Sequence, residues 1–552
     1  MHSRLLLFTV ALAAAAGFAP AQAGPAGCPG EDADHYTLVG QSALERGDWP
    51  RASEALGCAA LLSTDPGMAE RAARVAFENG QLGAAARAAG RWLELQPERE
   101  EARRFLATSL LKQHRNDEAA AQFAIVLDTA YEERPQGYLA LLGSLSAEGN
   151  DNGAAAIMDK LAASDTDMAE AQYARSVLWQ QAEHGGRALE AARRAIELKP
   201  AWRLAELAEV RALLLLGRIE EGLARGAALA ADGDPLSQLN YAWLLAGAGR
   251  EDDASEAFEE LRRGQVAVSQ ALEGLGSVKF AQRDYDSAAR YFNELARSSR
   301  GDETALAYLG LIAERQGDPA LAIRYLERVT TGPRAVASQL KAFELGARLG
   351  APQRAELQLE DFLYQAPERA RDVAIGRANQ LADAGQADAA LALMERLVSL
   401  YPDDDDLRLA QAFLLERTDR VREAVAVMRG VLKRRPDDPT ALNSLGYTLV
   451  DRTRHVQEGY ALILRALEGK PDSYAVMDSA GWALYRLKRN AQALEWLQRA
   501  WQRSPDPEVA AHLGEVLWAE GRQDEAKRLW QEALENSPEN RSLQRTVARH
   551  PG

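Results

Sequence analysis

The feature that most constrains this chain is a set of small-residue offsets that returns about every 34 positions. Gly481 is followed by Ala493 twelve residues on, Ala500 nineteen on and Pro505 twenty-four on. Gly514 is followed by Ala526, Ala533 and Pro538 at the same offsets. From Gly446 the pattern returns with one inserted residue, at Ala466 and Pro471. Far upstream, Gly40 precedes Ala52 and Ala59, Gly276 precedes Ala288, and Gly310 precedes Ala322. Ala73 and Ala107 occupy the glycine slot ahead of Ala85 and Ala119. Pro367, Pro402 and Pro436 close further periods. Each period holds two stretches whose apolar residues recur at helical spacing.

Glycine inside a helix costs roughly 1 kcal/mol relative to alanine. Its recurrence therefore calls for a contact that compensates. A small residue in the middle of the first helix (A) and the first Ala of the second (B) allow close approach. The second Ala of helix B meets the next unit, and the proline lies in the turn that follows. Gly47-Asp48 and Gly317-Asp318 suit the A-to-B turns, ending one helix and capping the other. Ala, Leu, Glu, Arg and Gln dominate, and runs of β-branched residues are scarce. A helix-turn-helix period of about 34 residues is that of tetratricopeptide repeats. The expected fold is all-α: a tetratricopeptide-repeat α-solenoid, a right-handed superhelix of roughly 14 units over 35–540. Units near 128–168, 205–235 and 255–270 fit the pattern poorly, so the central repeats read as degenerate. Residues 541–552 read as a frayed C-terminal tail.

The beginning of the chain reads as an address. Arg4, the apolar run Leu5 to Ala19, Pro20 and the small-residue site Ala21-Gln22-Ala23 have the order of a secretory signal peptide over 1–23. Residues 24–34 then form an N-terminal extension. No later stretch is long and apolar enough for a membrane span. The expected location is the periplasm. In that oxidising compartment the two cysteines, Cys28 and Cys58, are expected to form a disulfide. The alternative is that Cys28 in Ala26-Gly27-Cys28 is lipidated, giving an outer-membrane lipoprotein that faces the periplasm. Pro25 occupies the position where such a site wants an aliphatic residue.

Helix A also carries a candidate partner surface. Its core positions precede the glycine by four, coincide with it and follow it by three. The stripe one residue later lines the concave groove. Over three units it reads Asn443, Tyr447, Val450; Asp478, Trp482, Tyr485; and Ala511, Glu515, Trp518, with Arg486 beside it. Large aromatics on a groove suit a protein-binding surface. The competing role is packing against neighbouring repeats or a terminal helix.

No active-site pattern accompanies this. His2, His35, His114, His184, His455, His512 and His550 form no zinc spacing. No G-x-S-x-G elbow or phosphate loop occurs. Asp403 to Asp406 lacks the order of a calcium loop and reads as helix-start charge. No cofactor and no metal are expected, and the chain reads as non-catalytic. A formal charge of −16 argues against nucleic acid. Lys433-Arg434-Arg435, its densest basic cluster, reads as a solvated helix end.

The C-terminal "LNSLGYTLVDRT", "DSAGWALYRL" and "HLGEVLWAEGRQDEA", with the N-terminal "YTLVGQSALERGDWPRASEAL" and "AERAARVAFENGQ", resemble a proteobacterial envelope family. Its characterised member is an outer-membrane lipoprotein adaptor for a periplasmic carboxyl-terminal processing protease. The resemblance implies a non-enzymatic scaffold that activates the protease and delivers substrates such as peptidoglycan cross-link hydrolases. The lipobox here departs from that family's. An assembly or export factor for an envelope polysaccharide is the alternative function, although no strand pattern for its usual barrel is visible.

Overall fold

The computed structural model describes residue 28 and residues 32–298, 302–366, 369–538 and 540–550. The expected signal peptide lies outside these residues. Among those described there are thirty-one helices and no strand. The A/B pairing is displaced in the degenerate centre. Arg134–Ser146 packs chiefly on Ala169–Gln181, and Asp151–Ala162 on Asn116–Thr129 and Ala169–Gln181, whereas Pro235–Gly247 pairs regularly with Glu251–Arg263. Turn chemistry is regular. Gly47 (φ 69°) and Gly317 (φ 82°) take the left-handed conformation. Asp48 and Asp318 cap the following helices by accepting from the amides of Arg51 and Leu321.

The glycines of helix A have a more specific role than close helix approach. A Cβ added at Gly481 would stand 2.5 Å from Leu497 Cγ and 3.1 Å from the Ala493 carbonyl. At Gly40, Gly276 and Gly310 it would meet Leu56, Phe292 and Leu326 at 2.6 to 2.8 Å. At Gly514 the obstruction is the Trp530 indole. Each of these large residues lies sixteen positions after its glycine, on helix B. In the Gly446 unit the insertion moves it to Ile463. The missing side chain is thus a socket, filled from helix B by a residue that is itself buried.

The chain divides into two compact units. One joins residues up to Gln113 with Leu223–Asp404, and the other joins His114–Gly222 with Asp405–Gly552. Solenoid repeats usually touch only their neighbours. Here each unit brings together stretches far apart in sequence. In the first, Gln81 Nε2 donates to the Leu400 carbonyl at 2.5 Å. In the second, Asp472 Oδ2 accepts from the Gly185 amide at 2.8 Å, at the start of helix Gly185–Leu198. The Asp472 amide donates to the Glu183 carbonyl, and Arg503 pairs with Asp472 at 3.1 Å.

Three expectations change. Residues 541–549 form a helix, Arg541–Arg549, and are not a frayed tail. Asn540 caps it through the Leu543 amide, and Leu543 is fully buried. Arg435 is not solvated. Its side chain is buried and pairs with Asp406 at 2.6 Å and with Asp438. Asp403 to Asp406 does more than charge a helix start: Arg371 holds Asp404, and Arg434 holds Asp405. At the N-terminus, Cys28 and Cys58 are joined in a disulfide with Cα atoms 5.6 Å apart. It ties residue 28 to helix Trp49–Leu62. The lipid-anchor alternative requires that same sulfur.

Two substitutions of one kind should have opposite signs. Gly481→Ala gains helix propensity but collides with Leu497, and should destabilise by about 1–3 kcal/mol. At Gly430, inside helix Val421–Arg434, an added Cβ meets nothing within 4 Å. Gly430→Ala should stabilise by about 0.5–1 kcal/mol. Melting temperatures decide both. Asp472→Ala leaves the Arg503 guanidinium without its carboxylate, and the Arg503 side chain is only 15% exposed. We expect a loss of about 3 kcal/mol and faster hydrogen exchange at the Gly185 amide.

Candidate protein-binding groove

The groove is built on four consecutive A helices of the second unit: Asp405–Arg417, Pro439–Arg452, Tyr474–Arg486 and Pro507–Ala519. Each turns its core stripe toward its own helix B, which leaves the adjacent stripe outside the helix-pair core. Five of the stripe residues named from sequence meet there. Trp482 lies 5.3 Å from Tyr485, ring centre to ring centre. Its indole N–H donates to Asp451 Oδ1 at 3.1 Å. Arg486 donates to the Asp451 carbonyl at 3.2 Å. Asp478 is buried, and Tyr447 is partly buried. Asn443 stands one turn before Tyr447, with an enclosed Oδ1 that accepts no hydrogen bond.

The residue that organises them is His512. Its Nδ1 faces both carboxylate oxygens of Asp478, at 3.0 and 2.9 Å. Trp482 stacks on the imidazole with centres 4.3 Å apart and planes 20° apart. The Tyr447 ring lies 6.1 Å away. Burial opposes protonation of His512, but the charge and hydrogen bond of Asp478, together with the charges of Asp451 and Glu508, outweigh it and raise the pKa above the ordinary imidazole value. Two further acids border the site. Glu416 Oε2 lies 3.1 Å from Thr448 Oγ1. Burial raises the pKa of Glu416, and likewise that of Glu508. Tyr447 is raised by burial first, then by Asp451, Asp478, Glu508 and Glu416.

Glu515 and Trp518 do not join this cluster. The terminal helix covers them. Glu515 accepts from Arg549 at 3.3 Å and lies 3.1 Å from His550 Nε2. Trp518 stands 4.7 Å from the His550 ring and 5.9 Å from Trp530. They are therefore contacts of the C-terminal cap and not open groove residues. Sequence reading missed His512, Asp451, Glu416 and Glu508. At about 100° per residue, offsets of −6, −2 and +5 from the small residue fall on the same face as +1. A full helical wheel would have included Glu508, His512 and Asp451.

A tetratricopeptide-repeat model matches residues 381–445, and a second one matches 70–138 and 273–337. The fold is a tetratricopeptide-repeat α-solenoid. Arrays of this kind are protein–protein interaction scaffolds. A TPR repeat-containing protein of Pseudomonas aeruginosa is 31% identical over 188 residues, 34% of this chain. The match spans 32% of that relative's length. Among solved structures, yeast Tom70 is 12% identical, with 94% of each chain covered and a TM-score of 0.32. A thermophilic TPR protein of Thermus thermophilus is 23% identical, covering 32% of this chain and 98% of its own, with a TM-score of 0.30. Among the described residues of this tetratricopeptide array, no group of three or more His, Cys, Asp or Glu is placed to hold a metal ion. No helix there is long and apolar enough to cross a membrane.

The His512–Asp478 pair gives a signed pH dependence. Because the folded pKa of His512 is raised, the contribution is complete below the unfolded value of about 6.5. It is lost as pH rises through the raised folded value. His512→Gln should therefore destabilise the protein by about 1–2 kcal/mol near pH 5.5. The difference from wild type should shrink toward about pH 9. Urea unfolding at both pH values checks this, and a gap that widens with pH would contradict it.

Proposed function

We propose that the protein is a non-catalytic periplasmic adaptor that binds and activates a carboxyl-terminal processing protease and helps to deliver envelope substrates to it. The aromatic groove on the C-terminal repeats carries this reading. Trp482, Tyr485, Tyr447 and Arg486 belong to the residue types that dominate interface energies. They sit on rigid helices, so little ordering is required on binding. The resemblance of both ends of the chain to an envelope adaptor supports the choice of partner. The leader-like segment 1–23 and the single disulfide accord with export.

Tyr485 and Arg486 are the residues with which to test it, because they lie at the edge of the cluster. Trp482 is less suitable: it stacks on His512 and holds Asp451, so Trp482→Ala should lower the melting temperature as well as binding. Tyr485→Ala combined with Arg486→Ala should weaken capture of the processing protease from envelope extract by about 2 kcal/mol, roughly 30-fold. Circular dichroism should show an intact helical array. Undiminished capture by a folded double variant would move the contact face elsewhere.

A further inference from the structure

The second unit consists of two stretches, His114–Gly222 and Asp405–Gly552. Its extensive helix-on-helix packing runs within each stretch. Between them, turns and helix ends meet through charged side chains and backbone groups. Asp472 accepts from the Gly185 amide at 2.8 Å, and its own amide donates to the Glu183 carbonyl at 3.3 Å. Lys470 Nζ lies 3.5 Å from Glu183 Oε2. On one side of these contacts, His114 Nδ1 stands 4.0 Å from Asp438 Oδ2. On the other, a Cβ added at Gly217 would stand 3.4 Å from Arg503 Nε.

Two features set this joint apart from the helix packing. One stretch caps a helix of the other. His184, at the N-cap position of helix Gly185–Leu198, makes no side-chain cap bond. The Asp472 carboxylate takes that place, at the positive end of the helix dipole. The buried charges, moreover, stay satisfied when the joint parts. Arg503 holds Asp472 at 3.1 Å, and Arg435 holds Asp438, whose Oδ1 also accepts from the Ala441 amide. All of these partners belong to the later stretch. Parting therefore strands no buried charge, the penalty that usually keeps buried ion pairs together. The Gly185 amide passes to water, which can satisfy a helix-start amide.

We propose that this joint is a reversible latch. In the closed form Asp472 sits on the start of helix Gly185–Leu198. In the open form both stretches keep their helices and the joint is solvated. Closure rests on charge–dipole and charge–charge attraction, so salt weakens it. Asp472 lies two residues before helix Tyr474–Arg486, so the two forms hold the start of the central groove helix differently. The latch is independent of which partner the groove takes.

The test is single-molecule energy transfer on the disulfide-bonded protein, labelled at Glu190→Cys and Glu468→Cys. These are exposed positions on helices Gly185–Leu198 and Val456–Gly469, one in each stretch. Transfer should be high at about 50 mM salt, and a low-transfer population should grow at least about threefold by about 1 M. Asp472→Asn should make the low-transfer population dominant already at about 50 mM. Asp506→Asn changes a carboxylate that caps its own helix through the Glu508 amide, and should match wild type. Circular dichroism should show unchanged helicity throughout. Three results would each overturn the latch: a distribution that either salt or Asp472→Asn leaves unchanged, an equal shift in Asp506→Asn, or low transfer that appears only with loss of helicity.

Discussion

The structure rests on one contact made again and again: a large side chain of helix B seated where helix A has no Cβ. Leu56 at Gly40, Phe292 at Gly276, Leu326 at Gly310, Leu497 at Gly481 and Trp530 at Gly514 are its instances. The contact fixes both the separation and the rotation of the two helices, since a knob enters a socket in one register. Rotation is what matters for function. It decides which stripe of helix A is buried and which is left to line the groove. The insertion in the Gly446 unit shows the tolerance of the device. The knob moves one residue, to Ile463, and Gly459 on helix B appears beside Gly446. A second glycine makes up for the altered approach.

Much of this was legible because it is periodic. The offsets from Gly481 to Ala493 and Ala500 mark the A/B interface directly, and Ala493 and Ala500 are fully buried. The large partner at the sixteenth position went unread because it is conserved in size and not in identity: Leu, Phe and Trp all fill it. The terminal helix went unread for a different reason. Arg541–Arg549 has little apolar content beyond Leu543 and Val547, and its order comes from tertiary contacts. His550 reaches Glu515 and the Trp518 and Trp530 rings. A repeat array needs a polar-faced end to close its last hydrophobic surface, and this short helix supplies it.

Contacts between distant stretches were beyond sequence reading altogether. Nothing local marks Asp472 as the acceptor for the Gly185 amide, or Gln81 as the donor to the Leu400 carbonyl. These bonds change how stability is distributed. In a strictly linear array, stability is close to a sum of repeat and neighbour terms, and ends can fray independently. A bond that spans many repeats within one unit couples stretches that would otherwise open separately.

The coupling reaches the groove. Asp472 lies two residues before helix Tyr474–Arg486, whose first turns carry Asp478 and then Trp482. The same loop is held by Arg503 from the following helix B and by the Glu183 carbonyl. The start of the central groove helix is therefore anchored at three points. Downstream, Asp478 holds His512, and His512 carries the face of Trp482. An acidic groove would be expected to splay, because Glu416, Asp451, Asp478 and Glu508 repel one another. The imidazolium of His512 and the guanidinium of Arg486 offset part of that repulsion from within, and the anchored helix resists the remainder. The groove can thus keep an excess of negative charge without losing its shape, which is the condition for electrostatic selection of a partner by a preformed surface.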